Sequence, residues 1–370
     1  MGKYGKRVEI NLSPLAYNIG IIGSSGIGKS TLAKQVCEKL AGEEGYIALN
    51  TGKEDGHSAI AGINSEDVED WDKFTDIVDD IVDNKIKEYP ELKVVIIDTI
   101  DDLFLLAEEE VIRLYNRENP DKRATGINAV YGGYGRGLDM AIELVLNKLW
   151  SLKTVGVAFI VIGHTKIREV QDATTGQTYV TLTTAISQKY FNAIKTKLHV
   201  LGVAAIDREI VQQKTGKKNI ATKKEETRNV VANETRIITF RDDNYTIDSK
   251  SRFADIVDSI PLDADEFIKA INDAIIAAHS LGSKTIAESK ADADAAEVSK
   301  LKEIAKMNAK KNEQKQLKEL LTTITDYIKE NRSDMSKVKP LLDKSKELGF
   351  ENPTKIDNIE DMKTILELIN

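Results

Sequence analysis

Residues 23–30 read Gly-Ser-Ser-Gly-Ile-Gly-Lys-Ser and fit the spacing G-x-x-x-x-G-K-[ST]. Such a loop works only as the joint between a buried strand and the first turn of a helix. Both flanks are present: residues 17–22 form a short apolar run, and from Ser30 onward apolar residues recur at Leu32, Val36, Cys37 and Leu40 with helical spacing. The glycines let the backbone turn tightly and aim N–H groups inward, and the helix N-terminus adds partial positive charge, so phosphate oxygens are held without a basic patch. Gly23, Ser24, Ser25, Gly26, Ile27, Gly28, Lys29, Ser30 and Thr31 are therefore the expected nucleotide-binding residues. Lys29 is placed to reach the β- and γ-phosphates of ATP, and Ser30 to put its hydroxyl on Mg²⁺.

The rest of the first 282 residues continues in the same alternation. Strands are expected at 17–22, 46–50, 93–97, 157–163, 198–204 and 236–240, and helices near 30–41, 66–89, 101–118 and 137–153. This predicts an α/β fold with a mostly parallel central sheet. Two hairpin-like insertions are expected over 168–183 and 207–241, the second too long for a bare loop and so expected either to form its own β-ribbon or to be partly mobile. After Pro261 the pattern is helical, with 262–278 packing on the core and 287–331 reading as a solvated arm. A small helical unit follows, its last helix starting near Ile359. The expected division is an ATPase core over 1–282 and a helical C-terminal arm and module over 283–370. Net charge is −8; residues 283–370 carry equal numbers of basic and acidic residues, so the whole excess falls on the core. Tight nonspecific binding of nucleic acid by bulk charge is therefore not expected, and any such contact must be local. One cysteine, no apolar stretch long enough for a membrane span and no apolar leader predict a cytoplasmic protein without disulfides or membrane contact.

Residues 93–98, Lys-Val-Val-Ile-Ile-Asp, form a β-branched run ending in an acid, which predicts Asp98 as a second magnesium-site residue beside Ser30. The strand at 46–50 ends in Thr-Gly-Lys-Glu-Asp-Gly, and hydrolysis needs a carboxylate that polarises the attacking water. Glu54 is assigned that role, with Asp55 as its competitor. His164, after the strand at 157–163, is placed to feel the γ-phosphate.

Together the loop, the strand-end acid in TGKED, VVIIDTIDDL, VIGHTK and the late SKSRF resemble the RecA-like P-loop ATPase core, in particular the phage-encoded recombination and annealing ATPases. The resemblance covers about residues 8–275. It implies an ATPase stimulated by single-stranded DNA, working as a homo-oligomeric ring or filament in recombination or annealing inside a bacterial host, with Mg²⁺ and ATP. It also implies that Lys250 and Arg252, in a K-x-R-F motif, act on the nucleotide of a neighbouring subunit. DNA-binding loops are implied at 128–137, where Tyr131 and Tyr134 offer stacking and Arg136 a phosphate contact, and at Lys166 and Arg168. A glycine-rich helix cap with its aromatics tucked into the core is the other reading of 128–137. A nucleotide-gated adaptor in DNA replication or repair, its arm recruiting a phage single-strand-binding or annealing protein, and a P-loop kinase are the alternative functions.

Overall fold

The structure, a computed structural model, describes residues 10–52, 56–172, 175–218, 225–242, 247–280, 285–332 and 334–369, with backbone alone for 214–218 and 225–227. Among these residues the chain runs β1 (Ile19–Gly23), α1 (Lys29–Ala41), β2 (Tyr46–Asn50), β3 (Ser65–Asp67), α2 (Trp71–Asn84), β4 (Val94–Asp98), α3 (Ile100–Glu118) and α4 (Arg136–Thr154). It continues through β5 (Ala158–Gln171), β6 (Thr178–Thr184), α5 (Gln188–Lys195), β7 (Val200–Lys218), β8 (Glu225–Thr239), β9 (Lys250–Ser251) and β10 (Ser259–Pro261). Helices α6 (Ala264–Ser280), α7 (Ile286–Glu330), α8 (Met335–Glu347) and α9 (Ile359–Leu366) complete it. Two compact units result, residues 1–298 and 299–370. The division expected between 282 and 283 lies outside the described residues.

The sheet of the first unit has the order β10-β8-β7-β1-β5-β4-β2-β3. Strands β7, β1, β5, β4, β2 and β3 are parallel, while β8 and β10 join antiparallel at one side. This is the expected α/β class with a helical C-terminal region. Strands β1 and β4 are buried along their whole length, which is why both read as unbroken apolar runs rather than alternating ones. On one face Ile19, Ile21, Val94, Ile96 and Ile160 pack with Leu32, Val36 and Cys37 of α1 and with Phe267, Ile271 and Ile275 of α6. On the other, Phe159 meets Trp150 of α4 with ring centroids 5.7 Å apart.

Two elements differ from the sequence expectation. The helix expected over 66–89 is shorter: Ser65–Asp67 pair with β2 as an edge strand, and the Asp70 side chain then caps α2 by accepting from the Lys73 N–H at 2.8 Å. The short α5 went unseen; Ser187 caps it, and its Tyr190 ring stacks on Phe104 at 4.4 Å. The hairpin expected over 168–183 forms as β5 and β6, with Arg168 opposite Thr181 and Gln171 opposite Thr178, and its first strand is the unbroken continuation of β5 out of the central sheet. The longer ribbon forms as expected, from β7 and β8, with a bulge where pairing shifts from Glu209–Asn233 to Ile210–Val231 and Ala232 is passed over.

Gly137, in the first turn of α4, sets the loop before it. A Cβ there would lie 2.4 Å from the Ile127 carbonyl and 2.6 Å from Val130. Gly137→Ala is thus expected to lower stability by about 1–3 kcal/mol, outweighing the roughly 1 kcal/mol of helix propensity that alanine adds. Denaturant midpoints check this; an unchanged or raised midpoint would mean that the loop yields without cost.

In the second unit, Ile324 of α7, Leu341 of α8, Ile356, and Met362 and Ile365 of α9 form a small core of their own, with Leu317, Leu320 and Leu321 at its margin. Across the described residues no helix is long and apolar enough to cross a membrane.

Candidate functional site

The parallel register brings four chain segments to one edge of the sheet. Gly23 aligns with His164 of β5, and Asn50 of β2 aligns with Asp98 of β4, so the carboxyl ends of β1, β4 and β2 meet beside His164 of β5, where open α/β sheets bind ligands. A Cβ on Gly23 would lie 2.8 Å from the Ala204 carbonyl, so only glycine fits at that end of β1. Gly26 at φ 72° and Gly28 at φ 109° take left-handed conformations that favour glycine. Gly28 then caps α1 with no side chain on the first N–H groups of the helix, which leaves them to the loop.

Lys29 is the first residue of α1 and only 6% exposed. Its Nζ donates to the carbonyls of Gly23 at 3.1 Å and Ser24 at 3.0 Å, so the ammonium lies folded across the loop. Next to it the Ser30 hydroxyl donates to Asp98 Oδ2 at 2.5 Å. The two residues expected at the metal thus touch. A cleft of about 340 Å³ opens over them, lined among others by Gly26, Lys29, Ser30, His57, Asp98 and His164.

This donor set fits magnesium. A hydroxyl and a carboxylate are hard oxygen ligands, and magnesium is ordinarily held by one or two carboxylates plus substrate phosphates rather than by a protein cage. Among the described residues no group of three or more His, Cys, Asp or Glu is assembled that could hold a metal by itself. Bound there, a hydrated magnesium ion would neutralise charge on the terminal phosphates of a nucleotide. The chain's own part is to cradle the phosphates with loop N–H groups, to place Lys29 over them, and to hold the carboxylate.

That holding involves residues the sequence did not flag. His57 Nε2 lies 2.9 Å from Asp98 Oδ2, the same oxygen that Ser30 meets. The Thr51 N–H donates to the Asp98 carbonyl at 2.8 Å, and the Thr51 hydroxyl to the Thr99 carbonyl at 2.5 Å, tying the ends of β2 and β4 together. Thr99 and Asp102 cap the start of α3. Asp101 Oδ2 accepts from the His164 N–H at 2.7 Å and lies 3.3 Å from His164 Nδ1, so His164 borders the cleft anchored to the helix that follows Asp98. Arg236 of β8 donates to the Ile27 carbonyl at 3.2 Å, joining the root of the long ribbon to the loop. A lone His57 in TGKEDGH offered no periodicity or spacing to single it out.

Other expected site residues lie elsewhere. Glu54 and its competitor Asp55 lie outside the described residues. Lys250 Nζ donates to the Lys195 carbonyl at 2.5 Å, and Arg252 donates to the carbonyls of Thr196 at 2.6 Å and Leu198 at 3.3 Å. Neither is among the residues lining the cleft that holds Lys29. Burial first, then the Arg252, Lys153 and Lys250 charges, push the nearby His199 imidazole down to about 4. It is therefore neutral at pH 7, and its Nδ1 accepts from the Asn18 N–H at 3.0 Å.

The two tyrosines of the 128–137 loop are set differently. Tyr134 is fully exposed at φ 52° between glycines. Tyr131, at φ 51°, packs edge-on against Tyr115 at 5.1 Å and donates to Glu118 at 3.1 Å. Arg136 is exposed at the start of α4, and Lys166 is exposed on β5. Arg168 turns back to the Ile186 carbonyl at 2.7 Å.

The sequence model of one family, described as AAA domain, matches residues 15–253. That span takes in β1 through β9 and every described residue of the cleft. Among curated proteins, none matches the chain.

Proposed function

The chain belongs to the AAA domain family, and we propose that it is a magnesium-dependent ATPase that binds single-stranded DNA and assists phage DNA recombination or annealing. One observation carries the ATPase reading: the loop with positive φ at Gly26 and Gly28 ends on a serine whose hydroxyl meets the carboxylate closing β4, the parallel strand one beyond β5 from β1. This pairing brings a phosphate cradle and a metal corner to one point.

The DNA part of the reading is supported by Tyr134. A tyrosine ring held wholly in solvent at positive φ buries nothing, and a base is a natural surface for it. Arg136 follows as a phosphate contact. Tyr134→Ala is expected to weaken single-strand binding by about 1–3 kcal/mol for the lost stacked base, with the salt dependence unchanged. Arg136→Ala should instead make the salt slope shallower. Anisotropy titrations at several salt concentrations check both; wild-type binding by the two variants would remove this loop from the DNA contact.

In this reading Lys250 and Arg252 serve the nucleotide of an adjoining subunit in a ring or filament, Glu54 polarises the attacking water, and residues 283–370 form a separable arm that recruits a single-strand-binding or annealing protein. ATP turnover with and without single-stranded DNA is the deciding experiment. Stimulation by DNA supports the reading. Nucleotide binding without turnover in either condition would favour the nucleotide-gated adaptor instead.

A further inference from the structure

We propose that His57 is a positioning residue for the metal-holding carboxylate. Its Nε2–H fixes Asp98, which would leave the remaining lone pairs of the carboxylate to hold a hydrated magnesium ion. The inference rests on reading the cleft as a magnesium–nucleotide site.

The chain goes to some length to place this ring. Residue 57 follows β2, and the backbone closes a tight 3₁₀ turn over His57–Ala59, with the Ile60 N–H on the His57 carbonyl at 3.0 Å. Before it, Thr51 is bonded to the carbonyls of both Asp98 and Thr99 and so ties the end of β2 to the end of β4. His57 is 8% exposed and lines the cleft. Asp98 is acceptor-only when ionised, so the nitrogen 2.9 Å from Oδ2 carries an N–H. Two donors, Ser30 Oγ and His57 Nε2, thus converge on one oxygen. With magnesium bound, Ser30 would be a ligand and His57 would still hold the carboxylate in place. Partners of this kind orient ligating groups and tune affinity without touching the ion.

A packing role alone does not account for the ring. Among the described residues its Nδ1 is buried with no hydrogen-bonding partner, an arrangement native proteins rarely keep without a use. An apolar residue would fill the same space without stranding a nitrogen. What histidine adds is the N–H on Asp98.

The test is a magnesium titration of fluorescent ATP-analogue binding on the full chain, repeated in EDTA. His57→Ala is expected to raise half-saturating magnesium by about tenfold, with affinity in EDTA and the melting temperature near wild type. His57→Gln, whose amide N–H can stand where Nε2 stands, should restore most of the response, and His57→Asn, one carbon shorter, should not. Unchanged half-saturation in His57→Ala, or an equal loss with and without magnesium, would overturn the inference. Should His57→Ala not fold, the glutamine and asparagine variants decide, and equal behaviour of the two overturns it. A wild-type chain that binds no analogue at any magnesium concentration would instead overturn the nucleotide-site reading itself.

Discussion

Lys29→Ala is expected to cut ATP turnover by on the order of 10²–10³-fold and to abolish most nucleotide affinity while the chain remains folded. The ammonium is buried at the head of α1 and bonded to the carbonyls of Gly23 and Ser24. Triphosphate oxygens are far stronger acceptors for it than neutral carbonyls, because both partners are then charged. Against this, the bonds lost from the folded chain are worth about 1 kcal/mol each, a small share of a typical 5–15 kcal/mol of stability. The two effects are separable by thermal melting with and without MgATP. The variant should melt near wild type alone and lose the shift that the nucleotide confers. Wild-type affinity in a folded Lys29→Ala chain would remove the loop from nucleotide binding.

Asp98→Asn is expected to have the next largest effect, a loss of about 10–100-fold in magnesium affinity with turnover falling alongside. The substitution keeps the shape and removes the charge. If the amide oxygen takes the Oδ2 position, Ser30 and His57 stay satisfied, but an N–H₂ group then faces the metal's waters, which are themselves donors toward that side. If the amide is turned the other way, it meets two donors at 2.5 and 2.9 Å. Neither arrangement recovers a metal-holding group. Phosphate release measured across a magnesium titration reads the effect directly, and an unaltered magnesium requirement would take Asp98 out of the site.

What the sequence disclosed here is what neighbouring residues carry among themselves. Gly23 to Ser30 announces its own strand and helix, and the run ending in Asp98 announces a buried strand, because in each case the chemistry and the pattern occupy one stretch of chain. His57 could not be found that way. Its role depends on Asp98, 41 positions on, and they meet only through the register that sets Asn50 beside Asp98. Arg236 is hidden for the same reason, reaching Ile27 from β8, two strands away from β1. The missed elements are short: β3 has three residues and α5 eight, too few for a period to declare itself. The helix expected at 66–89 is overlong because its start is fixed by one residue, the Asp70 carboxylate that caps α2, and not by apolar spacing.

The bulge in the long ribbon bears on how faithfully its strands can find one another. Both faces of the outer part carry β-branched pairs, Ile210 with Val231 and Val211 with Val230, so hydrophobicity does little to tell one alignment from its neighbour. A uniform two-stranded ladder of that composition could slip. The skipped Ala232 makes the two halves of the ribbon count differently, and a slipped pairing would have to find room for the extra residue somewhere else along β8. The irregularity therefore acts as an alignment key, and it sits between the sheet root, where Arg236 meets the loop, and the outer strands.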